Sequence, residues 1–309
     1  MRRALRTITD SLRKDPTVRS VARRAVWLIP DLPWTVRIPD VGPLRIRLRR
    51  NRYLFWEHPL VNDWLMMSVF ERMIRPGDVV YDIGGAIGLY TRVLSHWFGP
   101  LRVVTIEPMS ANVQQIRRNV ALGGLLERVT VLHMAAADRE GYEDLQIDDI
   151  MSGTAVLDRV TGGRASHGRQ HLGLPPKVER VRVRTIDGII ADGTAPPPAF
   201  IKIDTEGAEG DVLRGARRTI DQHRPRLAIA LHGDDKARDC AAVLAGHGYH
   251  VAGWVSTPGS PRVYAAITPD NVGALADNNI IASADPADVA TEPPRLTSAP
   301  RRGPRPPGS

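Results

Sequence analysis

From residue 77 onward, short apolar runs alternate with stretches whose apolar residues recur every three or four positions. The runs "DVVYDI" (78–83), "RVVTIE" (102–107), "VTVLHMAA" (129–136), "AFIKID" (199–204) and "RLAIALH" (226–232) have the length and composition of buried strands. Between them, "GLYTRVLSHWFG" places Leu89, Val93 and Trp97 four apart, and residues 110–122 stack Val113, Ile116 and Val120 before Gly123-Gly124. Further helices are expected around 210–221, with Val212, Leu213, Ala216 and Ile220, and over 235–246. "YHVAGWV" with "RVYAAIT" or "NNIIAS" forms a closing strand pair. Strands alternating with helices predict an α/β fold, a doubly wound sheet covered on both faces. Ligands of such a sheet bind beyond the carboxyl ends of the strands, where the strand order reverses.

The flanks read differently. Residues 1–30 predict basic helices, with Leu5, Ile8 and Leu12 and then Val18, Val21, Ala22 and Ala25 at helical spacing. "WTVRIPDVGPLRIRL" (34–48) predicts two short strands around a turn, and Asp63 to Met73 a lead-in helix. The expected organisation is an N-terminal part over 1–75, a main domain over 76–284 and a disordered Pro/Arg-rich tail over 285–309. Inside the main domain, 151–177 is long, Gly-rich and sparsely apolar, which predicts a lid or mobile insertion.

Charge sharpens this division. The net charge of +8 resides in residues 1–52, where 14 basic and 4 acidic side chains give +10, whereas 53–283 sum to −3. Nucleic-acid binding by the main domain is therefore not expected; peripheral membrane contact through residues 1–30 is. Cys240 alone supports neither a disulfide framework nor a cysteine metal site. The start lacks the apolar stretch of a signal peptide, so a cytoplasmic, membrane-associated location is expected. Only four lysines stand against 38 arginines, which singles out Lys202 inside an apolar strand.

"DIGGAIG" ends the first strand with Asp82 and puts Gly84, Gly85 and Gly88 in the turn to a helix. G-x-G-x-x-G cannot be drawn through these glycines, and Asp82 would repel a pyrophosphate. A ligand with an ammonium at its near end suits the carboxylate, and S-adenosylmethionine is one. Glu107 ends the second strand, where it can accept from ribose hydroxyls. Asp138 is expected at the end of the third, where it can accept from the adenine amino group. Asp82, Gly84, Gly85, Gly88, Glu107 and Asp138 are thus the candidate cofactor residues.

Four segments, "GDVVYDIGGAIGLYT", "VVTIEPMSANVQQIRRNV", "VRVRTIDGII" and "IKIDTEGAEGDVLRGA", resemble the FkbM family of S-adenosylmethionine-dependent methyltransferases. "YLFWEHPL" (53–60) is similar to the family's lead-in. The resemblance implies the class I methyltransferase architecture, a Rossmann-like, mostly parallel, seven-stranded sheet. It also implies methyl transfer to a hydroxyl of a sugar or secondary metabolite, of glycolipid or polyketide type. The sequence departs from the family pattern twice: Gly85-Ala86 replaces Ala-Asn, and Ala230-Leu231-His232 replaces Glu-x-His.

Methyl transfer to a hydroxyl needs an aligned acceptor and a destination for its proton. "KIDTEGAE" puts Lys202, Asp204, Glu206 and Glu209 near the end of the fourth strand, and His232 follows the fifth. Asp204, Glu206 and His232 are the candidate bases, with Lys202 as ion-pair partner; the same acids leave a divalent metal open as a second cofactor. Two other functions compete: an RNA-directed methyltransferase using the basic N-terminus, and a non-catalytic docking module. The first lacks an aromatic residue in "DTEG" on which a base could stack; the three strand-end acids speak against the second.

Overall fold

The computed structural model describes residues 30–38, 41–51, 54, 64–149, 155–161, 167–171, 173–256 and 260–293. The helices expected over residues 1–30, and the membrane contact assigned to them, lie outside the described residues, Pro30 apart; so does the 53–60 lead-in, apart from Leu54.

A hairpin of β1 (Pro33–Ile38) and β2 (Gly42–Arg47) precedes α1 (Trp64–Met73), β3 (Val79–Ile83), α2 (Leu89–Trp97), β4 (Arg102–Glu107), α3 (Ser110–Leu122) and β5 (Val129–His133). Then come β6 (Ala135–Ala136), β7 (Gly141–Ile147), β8 (Ala155–Leu157), the short α4 (Asp158–Thr161) and α5 (His167–His171), β9 (Val178–Arg184) and α6 (Ile186–Ala191). The remaining elements are β10 (Phe200–Ile203), α7 (Glu209–Arg214), α8 (Arg217–His223), β11 (Arg226–Ala230), α9 (Asp234–Gly246), β12 (His250–Val255), β13 (Val263–Ala266), β14 (Leu275–Ser283) and α10 (Pro286–Val289).

The central sheet runs β13-β12-β14-β11-β10-β3-β4-β5. β11, β10, β3, β4 and β5 are mutually parallel, and β14 is antiparallel to β11. From β3 the chain winds outward to β4 and β5, then returns to place β10 on the other side of β3. The strand order reverses there, and the carboxyl ends of β3 and β10 mark the expected binding edge. The sheet has eight strands among the described residues, not seven: β12 pairs with both candidate partners, lying between β13 and β14.

Alternation along the strands divides the core. Val80 and Phe200 pack with Leu44, Ile46, Phe70 and Met73 from the hairpin and α1, whereas Tyr81, Ile83, Ile201 and Ile203 pack with Leu213 and Leu244 from α7 and α9. Asp82 and Lys202, two residues on from Val80 and Phe200, share the hairpin side.

Four sequence-based expectations are corrected. The third strand stops at His133; Ala135–Ala136 leave the main sheet to pair with β9 in a second sheet ordered β6-β9-β7-β8. The helix expected over 210–221 is two helices. A Cβ at Gly215, between the two, would lie 1.9 Å from the Ala137 carbonyl oxygen, and the Asp187 carboxylate accepts from the Arg218 and Thr219 amides to cap α8. The described parts of 151–177 are built in: β8 pairs with β7, and Arg159 of α4 forms ion pairs with Glu143 and Asp211. The tail is ordered through 293, with Asp285 capping α10 and Tyr264 donating to the Val289 carbonyl; burial of Val289 holds it down.

The hairpin is fastened by buried polar groups. Asn119 accepts from the Arg45 amide at 2.7 Å and donates to the carbonyls of Arg45, at 2.9 Å, and Ile87, at 2.7 Å. Arg92, 1% exposed, donates to the carbonyls of Asn119 and Val41. One asparagine thus joins the hairpin to the glycine turn. Replacing Asn119 by Ala leaves several buried groups unpaired, and a loss of about 1–3 kcal/mol in urea denaturation is expected, with faster hydrogen exchange at the Arg45 amide.

Candidate functional site

At the carboxyl ends of β3, β4 and β10 a cleft encloses about 650 Å³, part of it open to solvent. One wall is apolar, with Ile106, Ala135, Leu145, Ala155 and Leu157; Glu107 and Asn112 lie beside it, and Asp204, Thr205 and Glu206 form a polar end. No aromatic side chain lines it among the described residues.

The turn after β3 is shaped by its neighbours. A Cβ at Gly84, where φ is +80°, would sit 1.8 Å from the Asp204 carbonyl oxygen, and one at Gly85 would sit 2.2 Å from Thr105 Cγ2. These two glycines therefore serve the packing of β3 against β10 and β4, and Gly84 also lines the cleft. Gly88, at φ +81°, immediately precedes α2. Ala86, exposed at the cleft with φ +48°, adopts a conformation costly for an L side chain. Its amide donates to Glu107 Oε2 at 2.9 Å.

Glu107 is 4% exposed, and its other oxygen accepts from the Met109 amide, at 2.9 Å, and from Asn112. Burial pushes its pKa up to about 7, against the opposing pull of the Met109 and Ala86 amides, Asn112 and the Lys202 charge.

Asp82 occupies a different place from the one expected. Its carboxylate is fully buried beneath the turn and does not line the cleft. The parallel register sets Lys202 opposite Asp82, and the ammonium lies 3.2 Å from Asp82 Oδ1. Thr91 donates to Oδ2 at 2.7 Å. The cation that Asp82 was expected to find in a ligand is supplied by the protein itself. Lys202 also reaches Asp204 Oδ2 at 3.5 Å and the Gly84 carbonyl at 3.3 Å, and lies over the Tyr90 ring. Burial lowers its pKa, but Asp82 and then Asp204 more than compensate, leaving it above the usual lysine value. Asp138 is also elsewhere: it pairs with Arg139 and Arg159, and Ala135 and Ala136 stand at the cleft where the third strand was expected to present it.

The polar end gathers three of the expected residues. His232 Nε2 lies 3.8 Å from Asp204 Oδ1 and 3.7 Å from Glu206 Oε2. Burial raises the Glu206 pKa; the His232 charge opposes this, and the charges of Asp204, Glu209 and Asp148 add to it. Glu209, not among the candidates from sequence, accepts from His232 Nδ1 at 2.9 Å. The sequence placed it near the end of the fourth strand, whereas it opens α7. Among the described residues, no group of three or more His, Cys, Asp or Glu is arranged to hold a metal ion.

The model of the FkbM methyltransferase domain matches residues 82–251, over half of the chain. The chain belongs to the FkbM methyltransferase family. It thus carries a methyltransferase domain of that family, with an α/β, mostly parallel sheet. A solved FkbM methyltransferase from Methylobacillus flagellatus KT is 23% identical, with a TM-score of 0.43 over 68% of this chain and 44% of that one. A SAM-dependent methyltransferase from Aquifex aeolicus is 13% identical, with a TM-score of 0.39 over 76% of this chain and 98% of that one. The AMB antimetabolite synthetase AmbE of Pseudomonas aeruginosa is 24% identical over 216 residues, which are 61% of this chain and 10% of AmbE. This chain therefore spans a tenth of that relative. No helix among the described residues is long and apolar enough to cross a membrane.

The Asp82–Lys202 pair predicts a measurable coupling. Lys202→Met leaves a buried carboxylate without its cation and costs about 3–5 kcal/mol. Adding Asp82→Asn recovers most of that loss. A double-mutant cycle by denaturant unfolding reads both numbers.

Proposed function

We propose that this FkbM methyltransferase transfers the methyl group of S-adenosylmethionine to a hydroxyl of an uncharged, polyol-like acceptor, a sugar or a secondary metabolite. The observation that carries this reading is the asymmetry of the cleft, apolar around Leu145 and Leu157 and acidic around Asp204 and Glu206. The donor fits it. The apolar wall suits the adenine ring, Glu107 has acceptor capacity left for ribose hydroxyls, and Glu206 offers negative charge to the cationic end. When bound, the donor supplies an electrophilic methyl group. The chain's own part is to hold the acceptor oxygen in line, exclude water with its apolar wall, and take up the hydroxyl proton at the acidic end. Carboxylates there disfavour a phosphate or carboxylate acceptor.

Two measurements test this. Accepting from ribose hydroxyls favours the Glu107 carboxylate, so binding S-adenosylhomocysteine should lower a pKa that stands at about 7 in the free protein. Affinity then rises with pH, roughly tenfold between pH 6 and pH 8, with proton release on binding. Calorimetry in two buffers of different ionisation enthalpy reads both effects, and Glu107→Gln flattens the profile. Absence of binding at high protein concentration would sink the reading. For the acceptor, deletion of the gene should leave a compound lighter by one methylene in cell extracts, found by mass spectrometry. With that compound as substrate, Asp204→Ala is expected to keep S-adenosylhomocysteine affinity within about twofold and to lose 100-fold or more in turnover.

A further inference from the structure

Glu209 is fully buried at the start of α7, and four donors converge on one of its oxygens. Oε1 accepts from the Gly207 amide at 2.9 Å, from the Thr205 amide and hydroxyl, each at 3.3 Å, and from His232 Nδ1 at 2.9 Å. Oε2 is buried with no hydrogen-bond partner. A carboxylate in this setting is held ionised. Burial would raise its pKa, yet the bonds from His232 and the Gly207 amide outweigh burial and leave it lowered.

An ionised carboxylate can only accept. The ring of His232 must therefore carry a proton on Nδ1, and in the neutral imidazole the lone pair falls on Nε2. That nitrogen points toward the two carboxylates of the cleft's polar end, neither within hydrogen-bonding distance. His232 is about a third exposed, so a proton taken there can leave to water.

We propose that Glu209 is a positioning residue. It locks His232 in the Nδ1–H tautomer and keeps Nε2 free and basic beside Asp204 and Glu206, as the destination of the acceptor's proton. The role of that proton rests on the reading of the site as a hydroxyl methyltransferase; the tautomer does not. As the acceptor oxygen gains the methyl carbon, the donor's sulfur–methyl bond breaks and its electron pair stays on sulfur, which leaves as S-adenosylhomocysteine; the acceptor's O–H bond breaks, an Nε2–H bond forms, and the imidazolium returns the proton to solvent. The groups facing the ring favour its charged form: the hydrogen bond to Glu209 raises its pKa most, burial opposes, and the charges of Glu206, Glu209 and Asp204 add. Lys202 stands behind Asp204, Asp148 acts on Glu206, and from α9 the uncharged Cys240 thiol feels the Glu209 charge. Turnover should therefore rise with pH through a value above that of a free imidazole.

The test is a nitrogen-15 NMR titration of histidine-labelled protein, full chain, without acceptor. In the parent, His232 is expected as the Nδ1–H tautomer at high pH, with a pKa above the free value of about 6.5. Glu209→Gln preserves shape and removes charge, so the His232 pKa should fall to that value or below. S-adenosylhomocysteine affinity should stay within about twofold of the parent. An Nε2–H tautomer in the parent overturns the proposal, and this measurement needs no variant to fold. An unchanged His232 pKa in Glu209→Gln overturns it too, as does a loss of S-adenosylhomocysteine affinity of about tenfold or more. Failure of the parent to bind S-adenosylhomocysteine sinks the methyltransfer reading instead, and leaves the tautomer result standing.

Discussion

The buried ammonium of Lys202 joins the two halves of this fold. It sits where the strand order reverses, between β3 and β10, and touches the Asp82 carboxylate, the Asp204 carboxylate and the Gly84 carbonyl. Each contact fixes a different part of the site: the end of the first parallel strand, the end of the fourth, and the turn between β3 and α2. A compact point charge suits a space bounded by three oxygens and the Tyr90 ring, where a planar guanidinium would need wider, forked acceptors. In a chain with 38 arginines and four lysines, that geometry accounts for a lysine here.

The order of strands and helices was legible in the sequence because a parallel sheet covered on both faces imposes long apolar runs and helical periodicity together. β4 and α3 fall on their expected bounds. The second sheet was not legible. "GYEDLQI" and "VERVRVR" are half-exposed strands with charged side chains, and β6 contributes two alanines that continue an apolar run without remaining in the same sheet. The misplacement of Asp138 follows directly: counting along the run assumed one strand where the chain changes sheets after His133.

Asp82 illustrates a different limit. It falls within β3, in the strand the sequence predicted, but its partner depends on register, which pairs Lys202 with Asp82 across 120 residues of chain. No local spacing encodes that. Glu107 needed no such pairing, since its donors come from its own turn and the neighbouring glycine loop, and it lies at the cleft as its strand-end position implied.

The cleft holds two non-glycine residues in left-handed backbone conformations, Ala86 and Glu206, at φ of +48° and +55°. Such conformations persist only where surrounding contacts over-determine them. Each is tied to a buried acid. Glu107 accepts from the Ala86 amide, and Glu209 accepts from the amides on either side of Glu206, those of Thr205 and Gly207. The two acids meet different surroundings. Burial dominates at Glu107 and raises its pKa, whereas donated hydrogen bonds dominate at Glu209 and lower it. One carboxyl is thereby poised to change protonation near neutrality, while the other stays charged as a fixed anchor. The distinction follows from where the donors come from. Glu107 shares its donors between two oxygens and has Lys202 only at a distance, while Glu209 concentrates four donors, one of them an imidazole, on a single oxygen. The turns that shape the cleft and the acids that give it polarity are therefore parts of the same hydrogen-bonded units, and a change in either alters both.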